Sequence, residues 1–374
     1  MHVGAGDVIE LAVDDAGNPE RYRIDRVEQG AMQLLEAVRI ESEVYVLSDI
    51  GEDTPGVSPF VPPVPVLPVF LDLPLMTGDE VPHAPHIAVT AKPWPGTVAL
   101  YNSDSDSNYR LDQIIGHRAV VGVSETPLFA ASSSLLDKGP DLQIRLTAGQ
   151  LEGVDEAALL SGRNLAAIGD GSAGNWELFQ FQRAELLEPN TYLLRNRLRG
   201  QLGSDGIMPA QWPSGSTFVL IDPALTQIAL KTAARNLARH YRIGPARRGY
   251  DDPSYEHRIE AFSGIGLRPY APCHLRVTAD GAGGSMWSWI RRTRIDGDEW
   301  DLPEVPLGEE SEVYVVRVMQ GSMILREAVT TTPNWIYTAA EKADDGVSVP
   351  YEVHVAQISA RFGAGLFARA TVSD

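Results

Sequence analysis

Short β-prone runs separated by turn-forming residues recur along nearly the whole chain. VIELAV, RYRIDRV, MQLLEAV and EVYVL, split by DDAGNPE, EQG and RIES, predict a β-meander over residues 1–53. From 54 to 81 the sequence turns proline-rich, and because proline fixes φ and removes a donor, this stretch reads as an extended linker. Runs resume from Pro82: HIAVTA, GTVALYN, RAVVGVS, LQIRLT, WELFQFQRAELLE, TYLLRNRLRG and TFVLID, giving a β-module over 82–268 with 147–216 as an inserted subdomain. WELFQFQRAEL alternates imperfectly, setting Trp176, Leu178, Phe179 and Phe181 against Glu177, Gln180 and Gln182, as a strand with one buried face and a bulge would. Helical signal is thin: VDEAALL (154–160) predicts a short helix, and ALTQIALKTAARNLARH (224–240) reads as either state with a lean to strand.

The last hundred residues form the clearest unit. HLRVTADG, SMWSWIRRTR, EVYVVRVMQG, MILREAVT, NWIYTA, YEVHVAQIS and LFARATVS are seven runs with turns between them, the pattern of an antiparallel sandwich over 269–374. Trp287 and Trp289 lie two apart and share a face, and Tyr351 stands where such a sandwich carries a tyrosine corner. The fold class expected is mainly β, built of several small domains.

YLLRNRLRGQLGSD (192–205) raises the question of function. Arg195, Arg197 and Arg199 alternate with Leu194, Asn196 and Leu198, which predicts a strand with opposed faces whose arginines meet carboxylates, with Gly200 and Gly203 at positive φ. A phosphate or nucleic-acid site is the competing reading, and the charge opposes it. With 50 acidic against 31 basic side chains the chain carries −19, the wrong sign for nonspecific contact with a polyanion. Residues 231–300 hold 12 Lys and Arg against 8 Asp and Glu, so they are +4 while the rest is −23; that segment is a surface for an acidic partner.

A single cysteine, Cys273, excludes an intrachain disulfide and a Cys-based metal site made by this chain alone. The opening MHVGAGDVIELAV lacks a basic segment followed by an apolar core, so no secretory signal is expected. FVPPVPVLPVFLDLPLM (60–76), the longest apolar stretch, contains five prolines and cannot be a membrane helix.

Three segments carry a family resemblance: LRGQLGSD within GRNLAAIGD…WELFQFQRAEL…YLLRNRLRGQLGSD, GLRPYAPCHL, and WSWIRRTR. Together with YEVHVAQISARFGAG they resemble the C-terminal part of the host-specificity, or "megatron", baseplate protein of long-tailed phages and gene transfer agents. The opening GDVIEL…RYRIDRV resembles the end of the preceding tail-hub β-domain. The resemblance implies a fibronectin type III-like final domain and a structural role at the tail tip of a virion or gene transfer agent particle assembled in the bacterial cytoplasm. It also implies a homotrimer about the tail axis, contact with tail hub and baseplate proteins, and attachment to a host surface polysaccharide or receptor. Family members are longer, some with an enzyme-like barrel upstream; nothing here matches that barrel, so the chain is expected to be a C-terminal portion or a shortened relative.

Candidate chemistry is sparse. NSDSDSN places Asp104, Asp106 and Asn108 at the one-three-five spacing of a calcium loop, but Tyr109 and Ile115 stand where an EF-hand needs Gly and Glu. His83 and His86 form an H-x-x-H among prolines without the glutamate or helix of a zinc hydrolase, and His240, His257 and His274 show no pairing. DGDEWD supplies Asp296, Asp298, Glu299 and Asp301 beside Trp300, and Asp296 with Glu299 is the one pair to try for a polysaccharide hydrolase. There is no G-x-S-x-G, P-loop or strand-to-helix G-x-G-x-x-G, so neither an enzyme nor a cofactor is expected. In RRTR, alternation sends Arg292 and Arg294 to one face and Arg291 to the other, toward solvent, a subunit carboxylate or an anionic glycan. A carbohydrate-binding adhesin, with Trp94 or Trp300 stacking on sugar, is the alternative to a tail-tip structural protein.

Overall fold

The computed structural model describes residues 2–12, 19–40, 64–297, 301 and 304–373. They fall in two compact units, Met1–Pro62 and Pro63–Asp374. In the first, β1 (Val8–Ala12), β2 (Pro19–Gln29) and β3 (Gln33–Ile40) form an antiparallel meander in that order. Its register sets Glu10 opposite Arg21, and the two side chains meet at 2.6 Å. The fourth run expected here, EVYVL, lies outside the described residues.

The second unit opens with β4 (Leu67–Leu71), inside the stretch expected to be a linker. Val66, Val69, Phe70 and Leu71 are buried, and β4 pairs with β5 (His86–Thr90) at a sheet edge, where the donor missing at Pro68, its one proline, costs little. β6 (Val98–Ser103) and β7 (Arg110–Ile115) form the next hairpin.

The chain then builds a barrel. β8 (Val121–Ser124) is followed by the short β9 (Leu128–Phe129) and β10 (Leu136–Asp137), then β11 (Leu142–Leu146). Next come α1 (Glu156–Leu160), capped by the Asp155 carboxylate on the Ala158 N–H, and β12 (Leu165–Gly169). The long hairpin of β13 (Trp176–Glu188) and β14 (Thr191–Leu198) is followed by β15 (Gln211–Trp212) and β16 (Thr217–Leu220). The order β14-β11-β8-β16-β12-β13 closes through pairing of β13 with β14, which leaves six strands without an edge. Because β8 and β11 are part of this ring, residues 147–216 do not stand apart as a subdomain.

β13 explains its own sequence. Glu177, Phe179 and Phe181 point into the barrel, whereas Trp176 and Leu178 pack outward against Val69, Leu71 and Ala88. Both faces are buried from Trp176 to Phe181, so apolar residues fall on consecutive positions there although the side chains alternate regularly; the register shift with β14 comes later, between Leu186 and Glu188.

After the barrel, β17 (Thr226–Gln227), β18 (Arg239–Pro245) and β19 (Glu256–Glu260) return to the first hairpins, giving sheets β17-β5-β4 and β19-β18-β6-β7. Phe70, Ile87, Val98, Leu100, Tyr241 and Phe262 fill the core between them. The 224–240 stretch therefore contains strand ends and a 3₁₀ turn (Thr232–Ala234) rather than a helix.

The remaining strands fall on the seven predicted runs. β20 (Cys273–Ala279), β21 (Ser285–Ile290), β22 (Tyr314–Gln320), β23 (Met323–Thr330), β24 (Asn334–Tyr337), β25 (Tyr351–Ser359) and β27 (Ala368–Val372) are joined by a two-residue β26 (Gly363–Ala364). One sheet is β20-β21-β24 and the other β23-β22-β25-β27, the three-plus-four strand order of a fibronectin type III-like sandwich. Trp287, Trp289, Tyr314, Val316, Val353 and Val355 are its core, so the tryptophan pair faces inward. The hydroxyl tied into the crossing from β24 to β25 belongs to Tyr337, which donates to Asp345 at 2.6 Å, and not to Tyr351 as the tyrosine-corner reading expected. α2 (Ala339–Asp344) lies in that crossing with a Thr338–Glu341 capping box.

Candidate functional site at the barrel–sandwich junction

The arginine-bearing strand changes phase in the middle. Tyr192 and Leu194 face the barrel interior, but Asn196 adopts φ 54°, a left-handed conformation that Asn tolerates, and the frame slips by one residue. Beyond it Arg197 and Arg199 point inward, with 1% and 0% of their surface exposed. At the same point the partner strand changes from β11, which pairs as far as Leu194, to β10, which pairs with Arg197 and Leu198. The opposed leucine and arginine faces expected from simple alternation therefore do not form; only Arg195 faces outward, held by Asp141 and Glu185 at 2.8 Å each.

The inward arginines close a charge network of this chain's own carboxylates. Arg199 grips Glu177 with two bonds, Nε to Oε1 at 2.7 Å and Nη2 to Oε2 at 2.9 Å, and gives a third to the Phe129 carbonyl at 2.6 Å. Trp212 Nε1 donates to Glu177 Oε2 at 2.6 Å, and the Gly200 N–H to Oε1 at 3.2 Å. Asp137 accepts from Arg197 at 3.0 Å and Arg199 at 3.3 Å. Burial raises the Asp137 carboxyl, but the donors Arg197, Gly139 N–H and Arg199 more than offset it, and it sits below its ordinary value. Glu177 accepts four bonds and Arg199 donates four, so the buried pair holds a shape and leaves its carboxylate no free oxygen position for chemistry.

The turn leaving this strand meets the sandwich. Gly200 and Gly203 have φ of 60° and 75°, as the sequence required. A Cβ on Gly203 would lie 2.2 Å from the Tyr270 ring, so only glycine lets Tyr270 close over the turn. Arg292 stacks over the same ring at 5.3 Å and donates to both Asp205 oxygens at 3.0 Å. Leu366 of the sandwich lies within 3.0 Å of where a Gly206 Cβ would be. The three segments LRGQLGSD, GLRPYAPCHL and WSWIRRTR, far apart in sequence, are thus the parts of one joint.

A cleft of about 1420 Å³ runs beside the joint, lined by Met76, Leu202, Tyr270 and the arginines of RRTR among others. Those arginines are not on a strand, because β21 ends at Ile290. Arg291 donates to the carbonyls of Pro306 and Val305 at 2.6 and 2.9 Å. Arg294 pairs with Glu309 at 2.9 Å, with side chains 6% and 3% exposed. All three basic groups singled out in the sequence are spent inside the chain. Asp296 and Asp301 border the cleft, whereas Asp298, Glu299 and Trp300 lie outside the described residues. Trp94 packs against the first core and donates its indole N–H to the Gly96 carbonyl at 2.9 Å.

Of the metal candidates, His83 bonds the Leu230 carbonyl at 2.9 Å, while His86 is buried in β5 with its pKa lowered to about 4 by desolvation. In NSDSDSN the carboxylates pair with arginines of β18, Asp104 with Arg239 at 2.7 Å and Asp106 with Arg242 at 2.9 Å. Sequence reasoning missed Glu177, Asp137, Asp205 and Tyr270. Glu177 did leave a signal, a charge in phase with Phe179 and Phe181.

A family model described as Rcc01698-like, C-terminal, matches residues 119–219. That interval is the barrel, from the residues entering β8 to β16, and it contains the Arg199–Glu177 network. No curated protein matches the chain. Among solved structures, the FN1-FN3 domains of chicken CNTN1 align over 84% of this chain and 99% of theirs at 9% identity, with a TM-score of 0.20. A score that low leaves the sandwich assignment to its own strand order. Among the described residues no helix is long and apolar enough to cross a membrane.

Proposed function

We propose that the chain is a structural component of a phage-like or gene transfer agent tail tip, acting by assembly and not by turnover. The observation that carries this reading is the joint. The three segments that resemble the C-terminal part of the tail-tip protein converge on Gly203, Tyr270, Arg292 and Asp205, where they fix the sandwich to the barrel. The match of the barrel to a family model defined by a C-terminal region supports the same reading. So does the use of buried arginines for internal bonds, which suits a part that must keep its shape under load.

In this reading the barrel is the mounting element and the sandwich a rigidly aimed contact domain toward the host envelope. Light scattering of the chain mixed with its hub protein tests it: a defined complex, most simply with three copies of this chain, is expected. A mass that stays monomeric with the hub present overturns the reading.

A further inference from the structure

At the far end of the β19-β18-β6-β7 sheet, strand register gathers three ligand-bearing side chains that sequence leaves unconnected. β18 pairs with β19 so that Arg242 faces His257, which puts His240 diagonal to His257 across the ladder. β18 also pairs with β6, setting His240 opposite Ser103 at the mouth of the β6–β7 loop that carries Asp106. His240 Nδ1 and His257 Nε2 are 3.0 Å apart, and Asp106 Oδ1 is 3.9 Å from His257 Nε2. The donor atoms of all three lie within 4.8 Å of one another.

We propose that Asp106, His240 and His257 form a binding site for a divalent transition metal of the zinc class. Two imidazoles and one carboxylate are a donor set for zinc, cobalt or nickel, not for calcium or magnesium, which take oxygen ligands. The imidazole rings are nearly coplanar, 12° apart with centroids at 5.3 Å, and their nitrogens meet head-on. At 3.0 Å a neutral pair shares one proton, the N–H of one ring donating to the bare nitrogen of the other. A metal replaces it once that proton moves to the far ring nitrogen and the nitrogens part to roughly 3.3 Å, the edge of a tetrahedron with bonds of about 2.0 Å. Both rings are at the surface, the His257 side chain being 32% exposed, so small rotations suffice.

The carboxylate is already aimed. Tyr109 O–H and Arg242 Nη2 both donate to Asp106 Oδ1, and these bonds, Tyr109 first, hold its pKa down to about 2. Two carboxylate oxygens offer about four acceptor positions, so the ion finds room beside these donors. The Arg242 guanidinium opposes a cation and sets the affinity below that of a zinc enzyme.

The test is titration of the full chain with Zn²⁺ by calorimetry and with Co²⁺ by visible absorption. One equivalent is expected to bind, with Co²⁺ bands of a low-symmetry site. His240→Ala, His257→Ala and Asp106→Asn should each weaken binding at least about ten-fold, while Arg242→Met tightens it and His83→Ala leaves it unchanged. Circular dichroism of each variant separates loss of ligand from loss of fold. No binding of either ion, binding unaffected by His257→Ala, or binding of Ca²⁺ in preference to Zn²⁺ overturns the proposal.

Discussion

Arg199, one residue past the end of β14, and Glu177 on the paired strand β13 meet inside the barrel with neither side chain exposed to water, joined by two bonds of 2.7 and 2.9 Å. Such a pair is worth little against a well-packed apolar substitute, but removing one partner strands a charge in a dry interior. Glu177→Gln should therefore cost about 3–5 kcal/mol in urea unfolding, and the double variant Glu177→Met with Arg199→Met should recover much of that loss. A Glu177→Gln loss under about 1 kcal/mol would mean that water reaches the pair.

Gly203 stands under the Tyr270 ring at φ 75°. Gly203→Ala combines a disfavoured backbone with a clash, so it should cost at least about 2 kcal/mol and expose the 264–272 connection to protease. Tyr270→Ala in the same background relieves the clash but not the strain. Recovery of part of the loss in the double variant confirms that the ring is what glycine makes room for.

Asp205 and Arg292 span the joint with about a quarter of each side chain exposed. The pair is worth about 1 kcal/mol, so Asp205→Ala should leave the melting of barrel and sandwich nearly unchanged. Its effect belongs to orientation. Small-angle scattering should show a broader distribution of distances between the two domains, and an unchanged profile would assign the rigidity to the glycine contacts alone.

His86, buried in β5, titrates near 4 rather than 6.5 because burial disfavours its charged form. As pH falls through 6.5 the unfolded chain takes up the proton while the folded chain does not, so unfolding gains. The stability His86 contributes is complete above pH 6.5 and is lost between 6.5 and about 4, up to roughly 3 kcal/mol. Denaturation midpoints across that window should fall less steeply for His86→Leu than for the wild type. Parallel curves would show that His86 is reached by solvent in the folded state.

Strands were legible where one face is wet and turns are marked, which is why all seven runs of the sandwich fall on strands. The proline-rich stretch misled because β4 lies at a sheet edge, where missing donors cost little. The arginine strand misled for a local reason: one left-handed Asn196 reverses which residues face inward, and period-two reasoning has no term for it. The joint was visible only as three distinctive segments. Their contact depends on closure of the barrel and return of the chain through β17 to β19, long-range facts that no local pattern records.

The most direct measurement is a cryo-EM map of the particle's tail tip. Barrel and sandwich density is expected about the tail axis, with the sandwich held at the angle set by Gly203, Tyr270, Arg292 and Asp205 in every copy. Density absent from the tail tip, or a sandwich smeared over many angles beside a well-ordered barrel, would contradict this expectation.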